Sequence, residues 1–266
     1  MSSRRRVALV AVATAMIACT EIGTDPSVAV SIAFDSLPSP GIVLGDTLRD
    51  SAGVVAPLRA FAFNARGDSI AGAPIEYFAK VGTDTLRVDI LTGLVIADSA
   101  VALRNVSVVL FPQVNGIPGP QRTLLLTLRP DTIAADGEAD TLRYSTAADT
   151  GQNVSSPVRV KVLHDSAGTG VLLPVRAWIV RFAVEFRGVT QTDTTIALLI
   201  NDQNAPSSID TTDGSGIAGR KVRLHAVPVS AADSIVVIAR ATYRGGPLRG
   251  SPVRVRVPVV VQIVAR

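Results

Sequence analysis

The feature that most constrains the fold is a rhythm of short apolar segments separated by clusters of Gly, Pro, Asp, Asn and Ser. Within several segments apolar and polar residues alternate, as in Val158–Val162, where the valines share one side and the charges the other. No segment after residue 19 has a sustained helical period with a capping residue. Many short strands joined by regular turns are typical of sandwiches and barrels. The sequence therefore predicts an all-β chain.

The clearest segment is Trp178–Phe186, in which every even-numbered residue is apolar and Arg181 and Glu185 fall on the opposite side. Burial of each large apolar side chain is worth about 1.5–3 kcal/mol. We therefore expect a central strand here, with Trp178 in the core. The other predicted strands are Val28–Phe34, Leu58–Phe63, Val106–Phe111, Thr123–Leu128, Val158–Val162, Ser234–Tyr243 and Val253–Val257, the last with Arg254 and Arg256 outward.

An internal repeat divides the chain into two units. Three pairs of segments match: Pro57-Leu58-Arg59 with Pro157-Val158-Arg159, Pro74-Ile75 with Pro174-Val175, and Asp46-Thr47-Leu48-Arg49 with Asp140-Thr141-Leu142-Arg143. The polar stretch Pro130–Asp140 is the best boundary. We predict a first unit at 27–130 and a second unit at 131–266. The alignment places Phe61 and Phe63 opposite Lys161 and Leu163, so both phenylalanines are expected to face outward or against a neighbouring element.

The amino terminus has the parts of a secretory signal peptide: Arg4-Arg5-Arg6, the apolar run 7–18, and a small residue at the cut site. The sequence Met16-Ile17-Ala18-Cys19 resembles the bacterial lipoprotein signal, and Cys19 is the only cysteine. The resemblance implies a signal peptide at 1–18, acylation of Cys19 and a tether at 19–26. It also implies sorting to the outer membrane, because Thr20 is not Asp. An ordinary signal peptide, with Cys19 as an incidental thiol, is the alternative.

The net charge gives little support for a nucleic-acid partner. The chain carries +4, and removal of Arg4, Arg5 and Arg6 leaves +1. Nucleic-acid binders show a basic patch or stripe, whereas arginines and aspartates are interleaved along this sequence. We expect no nucleic-acid binding.

Several turn motifs in both units resemble those of bacterial immunoglobulin-like domains of the invasin and intimin type. The residues that carry the resemblance are Ser208–Ala218, Val222–Leu224 and Ile235–Tyr243 in the second unit, and Val88–Val95 and Asn64–Asp68 in the first. The resemblance implies two tandem Ig-like β-sandwiches. Asn64 departs from the aspartate that is usual at the hairpin, and the fold is implied more strongly than any activity.

The sequence offers few candidates for chemistry. His164 and His225 lie far apart in unlike contexts, and no nucleophile elbow, zinc-protease motif or phosphate-binding loop is present. We interpret His164 as a solvated turn residue. Asp202, Asp210 and Asp213 could bind calcium, but they lack the ligand spacing of an EF-hand and are more simply explained as turn formers. No catalytic residue, metal ligand or cofactor is predicted.

These observations lead to one main hypothesis and two alternatives. The main hypothesis is a lipid-anchored, non-catalytic cell-envelope protein whose domains act as a spacer, scaffold or adhesion module. Its expected partners are the membrane, through acylated Cys19, and another envelope protein or a glycan. The first alternative is a glycan- or small-ligand-binding lipoprotein that uses Tyr77 or Tyr243 for stacking. The second is an enzyme whose site is built from Asp and Arg.

Overall fold

The computed structural model describes residues 25–80, 85–99, 106–145, 153–166, 169–191, 196–225 and 234–262. Within these ranges the regular secondary structure is β-strand and no α-helix occurs, so the all-β prediction is confirmed. A search of the same ranges finds no helix with the length and apolar character needed to cross a membrane. The predicted signal peptide and Cys19 lie outside the described residues.

The strands of the first unit are β1 (Ser31–Phe34), β2 (Gly41–Val43), β3 (Ala60–Phe63), β4 (Ile75–Lys80), β5 (Leu86–Val88), β6 (Val95–Ala97), β7 (Ser107–Val114), β8 (Ile117–Pro118) and β9 (Arg122–Thr127). Those of the second unit are β10 (Thr132–Ala135), β11 (Leu142–Ser145), β12 (Val158–Asp165), β13 (Leu172–Pro174), β14 (Ile179–Phe186), β15 (Val189–Thr190), β16 (Ala197–Ile200), β17 (Ile209–Thr211), β18 (Ile217–Leu224), β19 (Ser234–Arg240), β20 (Thr242–Tyr243), β21 (Gly246–Pro247) and β22 (Val253–Gln262).

The second unit is an Ig-like β-sandwich. One sheet has the order β10-β12-β18-β16 and the other contains β11-β22-β19-β14, with β11 parallel to β22. These orders match the A-B-E-D sheet and the G-F-C sheet of Ig domains. One core fills the space between them, because Val160 and Val222 of the first sheet and Val184, Val237 and Val257 of the second belong to one buried cluster.

Alternation of apolar and polar residues determines which face of the second sheet is buried and which is exposed. Along β14, Val180, Phe182, Val184 and Phe186 are buried, and Arg181 is exposed. Along β22 the residues from Val253 to Val260 alternate between buried and exposed, with Arg254 and Arg256 outward. β14 lies between β19 on one side and β15 and β17 on the other, so its predicted central position is confirmed.

The first unit shares this topology on a smaller scale. Its main sheet has the order β2-β9-β7-β4, again with a parallel first pair. β1 pairs with β3, and β5 with β6. The buried cluster between these elements includes Ile42, Leu110 and Leu124 from the main sheet and Phe34 and Val95 from the opposite side.

One of the three matched pairs of segments occupies equivalent places in the two units. Pro57-Leu58-Arg59 and Pro157-Val158-Arg159 each lead into the third strand of their unit, β3 and β12. Pro74 immediately precedes β4, whereas Pro174 is the last residue of β13 and does not open β14. The third pair is not equivalent. Leu142 lies on β11, which pairs with the last strand, whereas Thr47 follows β2 and bridges to Ile96 of β6. The division between residues 130 and 131 falls between β9 and β10, but the stretch Pro130–Asp140, predicted as the boundary, contains β10.

Candidate functional site

The most elaborate polar arrangement lies where the two units meet, around the carboxylate of Asp46. Asp46 follows β2 in the first unit, and its side chain is only 5% exposed. Its backbone is held on both sides, because its N–H donates to the carbonyl of Val43 and its own carbonyl accepts from Ala97 N–H. The turn after β2 therefore presents the carboxylate toward the second unit.

Two arginines and a tyrosine converge on Asp46. Arg49 of the same unit donates from Nε to Oδ2 and from Nη2 to Oδ1, both at 3.2 Å. Arg244 of the second unit donates in the same two-pronged way, at 3.1 and 3.0 Å. The hydroxyl of Tyr243 adds a bond of 2.9 Å to Oδ2, and Thr47 N–H one of 2.8 Å to Oδ1. Such two-pronged guanidinium–carboxylate pairs combine charge with fixed geometry.

The electrostatic balance at Asp46 favours the ionised form. Burial alone would raise the pKa of Asp46, because it penalises the charged carboxylate. The hydrogen bonds from Arg244, Arg49, Thr47 and Tyr243 outweigh this effect and hold the pKa well below its ordinary value. The carboxylate is therefore charged at any physiological pH.

Trp178 and Tyr243 form the apolar part of the same junction. Their rings meet edge to face with centroids 6.0 Å apart. Trp178 packs against the second unit's core but remains half-buried and lines a cavity of about 30 Å³ at the junction. Its Nε1 is buried and has no hydrogen-bond partner in the described part of the chain. The prediction that Trp178 is a core residue is therefore correct for its packing but incomplete, because it also belongs to the junction.

Further contacts between the two units lie beside this cluster. Thr127 at the end of β9 donates from Oγ1 to the carbonyl of Arg176 at 2.8 Å, and Arg176 donates to the carbonyl of Val106. A Cβ on Gly41 would lie 2.6 Å from the carbonyl oxygen of Ala177. Only glycine permits this approach.

This arrangement is suited to holding the units together rather than to binding a ligand. Pockets for small molecules usually have volumes of roughly 300–1,000 Å³, and a cavity of about 30 Å³ has the size of a single water molecule. The Asp46 carboxylate is already engaged by both guanidinium groups, the Tyr243 hydroxyl and the Thr47 N–H. The sequence did not predict the junction. It singled out Asp46 and Arg49 as part of the repeat, Trp178 as a core residue and Tyr243 as a possible stacking residue, but nothing in it brought these residues together.

His164 is placed differently from the prediction of a solvated turn. It lies on β12 opposite Leu173, and its side chain is only 20% exposed. Its Nδ1 is 2.7 Å from Oδ2 of Asp131 and 2.9 Å from the carbonyl of Arg129. Because both partners are acceptors, Nδ1 carries a hydrogen. His164 thus braces the segment that connects β9 to β10.

The three aspartates considered for calcium are already engaged by the protein. Asp202 pairs with Lys221 at 3.1 Å, and Asp210 with Arg220 at 2.9 Å. Asp213 accepts hydrogen bonds from two backbone N–H groups of its own turn, as expected for a turn former. Among the described residues, no group of three or more His, Cys, Asp and Glu is placed to hold a metal ion.

The tyrosines considered for glycan stacking do not present a free ring. Tyr77 is 8% exposed and its hydroxyl accepts a hydrogen bond from Ala60 N–H. Tyr243 is covered by Trp178 and bonded to Asp46. Phe61, by contrast, faces outward as predicted and is 51% exposed, because β3 buries Ala62 instead.

Folding separates the charges that are interleaved along the sequence. The outward face of the sheet β11-β22-β19-β14 has one acidic residue, Glu185, and five exposed arginines: Arg143, Arg181, Arg240, Arg254 and Arg256. The interleaving of arginine and aspartate along the sequence therefore does not extend to this face of the folded sheet. The outward Arg254 and Arg256 were a signal for these exposed arginines, but their neighbours become apparent only from the strand order.

Comparison with known proteins assigns neither a family nor a function to the chain. No family model matches the chain. No curated protein matches it either. Among solved structures it is similar to the adhesin InvE of Yersinia pseudotuberculosis, with 15% identity, a TM-score of 0.30, and coverage of 86% of this chain and 58% of that one. It is also similar to the I67–I69 fragment of titin, with 4% identity, a TM-score of 0.30, and coverage of 87% and 66%.

A glycosyl hydrolase family 2 member from Bacteroides cellulosilyticus also matches, at 13% identity and a TM-score of 0.28, over 74% of this chain and 23% of that one. This chain therefore covers less than two thirds of each of the three proteins. The chain is an all-β protein with tandem Ig-like domains, and these likenesses assign no function to it.

Proposed function

We propose that the protein is a lipid-anchored component of the bacterial cell envelope, sorted to the outer membrane, in which two Ig-like domains form a rigid spacer or adhesion module without catalysis. The observation that carries the proposal is the junction: the buried Asp46 carboxylate is held by Arg244 and Tyr243 from the other unit. A spacer needs a fixed angle between its domains, and multiple directional bonds at the hinge supply one.

The anchor is supported by the amino-terminal sequence. Arg4–Arg6, the apolar run and the Met16–Cys19 motif resemble a lipoprotein signal, and Cys19 is the only thiol. Acyl chains contribute about 0.8 kcal/mol per buried methylene, so two or more chains anchor stably.

The anchor is tested by palmitate labelling and membrane fractionation of the wild type and Cys19→Ala. We expect label and membrane association in the wild type and loss of both in the variant. Unlabelled wild-type protein, or a variant that still fractionates with membranes, would contradict lipid anchoring.

Rigidity is tested separately by the distance between two spin labels, one in each unit. Arg66→Cys and Gln203→Cys, in the Cys19→Ala background, place the labels on exposed turns. We expect a single narrow distance distribution, which Arg244→Gln should broaden. The matched control Arg87→Gln removes an exposed arginine away from the junction and should leave the distribution unchanged. A broad distribution in the unaltered chain would remove the basis for a spacer.

A further inference from the structure

The geometry points to the arginine-lined face of the second unit as a binding surface for a linear anionic polysaccharide. This inference deepens the proposed function, because it names a class of partner for an envelope protein and rests on that location. It starts from the positions of the five arginines on the sheet.

The arginines form a diagonal row across four neighbouring strands. Arg181 of β14 lies directly opposite Arg240 of β19, and Ile238, two residues before Arg240, lies opposite Arg254 of β22. Arg256 follows two residues further along β22. Arg143 of β11 is opposite Val260.

The spacing of strands and residues gives the row a length. With strands about 4.8 Å apart and a rise of about 3.3 Å per residue, the row extends over roughly 30 Å. The row is narrow, because the positions beside it on the same face carry Ala183, Val236 and Pro258. A narrow row fits a chain-like polyanion better than a planar lipid surface, which would favour a filled patch.

The row has little internal compensation. Among the residues that the structure describes, Arg254 is the one member of the row with an ion pair, and its partner is Glu185. These two residues are on the strands that flank β19, so the pair crosses above that strand. Arg181 donates a hydrogen bond to the Ser51 hydroxyl of the first unit, which leaves its charge uncompensated. Within the described ranges, Arg143, Arg240 and Arg256 have no acidic partner. Arg181 and Arg240 are like charges directly opposite each other, an arrangement that destabilises a sheet. An anion lying between them would relieve the repulsion.

The chemistry of the row selects the partner. Guanidinium groups bind carboxylates and phosphates in a two-pronged geometry. Single-stranded nucleic acid usually also requires aromatic side chains on which its bases stack. The described part of this sheet face exposes none, and Trp178 and Tyr243 are engaged at the junction. The carboxylates of an acidic polysaccharide can pair with the guanidinium groups without an aromatic platform.

The test uses the full chain with Cys19→Ala, so that no acyl group contributes, and alginate as the acidic polysaccharide. Binding is measured by calorimetry at low and at physiological salt, with neutral dextran as the blank. We expect salt-sensitive binding to alginate. Arg143→Gln, Arg240→Gln and Arg256→Gln combined should weaken it about tenfold or more, since three exposed ion pairs are lost.

The matched control combines Arg59→Gln, Arg87→Gln and Arg122→Gln, which remove the same charge from exposed positions in the first unit. It should change the affinity less than about twofold. Equal weakening by both triple variants, or absence of binding at low salt, overturns the inference. Tighter binding to oligothymidylate or to phosphatidylglycerol vesicles than to alginate overturns the choice of a polysaccharide.

Failure of the anchor and failure of this surface are distinguishable. If Cys19 takes up no palmitate but alginate binding depends on the row, the proposed envelope location is contradicted and the proposed anion-binding surface is supported. If Cys19 is acylated and both triple variants bind alginate as tightly as the chain without them, the proposed location is supported and the proposed binding surface is contradicted.

Discussion

The carboxylate of Asp46 and the guanidinium of Arg244, 198 residues apart in the sequence, form a two-pronged ion pair across the junction of two Ig-like units. Asp46 is nearly fully buried, whereas Arg244 is about half exposed. The buried partner therefore determines the cost of breaking the pair. Its removal leaves Arg49, Arg244 and the Tyr243 hydroxyl without their shared acceptor.

Asp46→Ala is expected to destabilise the protein by about 2 kcal/mol, because hydrogen bonds to charged groups contribute about 1.5–3 kcal/mol and their donors lose their partner. Denaturation by urea, followed by the emission of Trp178, measures the loss at the junction itself, since Trp178 is the only tryptophan. Asp140→Ala is the matched control. Asp140 begins the same four-residue motif but is exposed, so its removal should change the stability by less than about 0.5 kcal/mol. Equal losses would show that the junction bonds contribute nothing.

The depressed pKa of Asp46 predicts how this contribution depends on pH. The carboxylate has an ordinary pKa of 3.8 when unfolded and a lower one when folded, so its stabilisation is fully present above that value. It is lost as the pH falls below about 4 toward the pKa of the folded state. The difference in unfolding free energy between the wild type and Asp46→Asn should be constant from pH 5 to 7 and shrink below pH 4. A difference that already declines between pH 7 and 5 would contradict the assignment.

Thr212 makes a second set of buried bonds close to the junction. It is 3% exposed, its Oγ1 donates to the carbonyl of Val175 at 2.7 Å, and it accepts a bond of 2.9 Å from Trp178 N–H. Thr212→Val keeps the shape but leaves two backbone groups unpaired, so we expect a loss of about 2 kcal/mol. Thermal or urea unfolding measures it. The matched control is Thr211→Val, at an exposed position on β17, which should leave the stability nearly unchanged. A comparable loss of stability in Thr211→Val would mean that the introduction of valine, and not the loss of the buried bonds, is the cause.

The features that the sequence predicted correctly are local. The faces of β14 and β22 follow from a period of two residues, which needs no knowledge of the partner strands. The match between Asp46–Arg49 and Asp140–Arg143 did not predict equivalent structure. The two copies of the motif pair with different strands, and pairing depends on distant parts of the chain. The prediction for His164 was wrong for a related reason, because its partner Asp131 lies 33 residues away in the sequence. The junction and the complete arginine row are products of strand order. The local pattern showed only the outward Arg254 and Arg256, and it gave no sign of the junction.

Gly41 allows the close approach of the units, and its substitution tests whether that approach sets their geometry. A Cβ on Gly41 would lie 2.6 Å from the carbonyl oxygen of Ala177, and its φ is not in the left-handed region, so Gly41→Ala introduces a steric clash without backbone strain. We expect the clash to push the units apart at a cost of about 1–3 kcal/mol. The distribution of distances between labels at Arg66→Cys and Gln203→Cys should then shift or broaden while each unit stays folded.

Gly214→Ala is the matched control for Gly41→Ala, because nothing lies within 4 Å of its Cβ and its φ is also ordinary. It should leave the distance unchanged. An unaltered distance in Gly41→Ala would mean that the contact at Ala177 does not fix the angle. The Asp46 cluster and the bonds of Thr127 and Arg176 would then have to hold it.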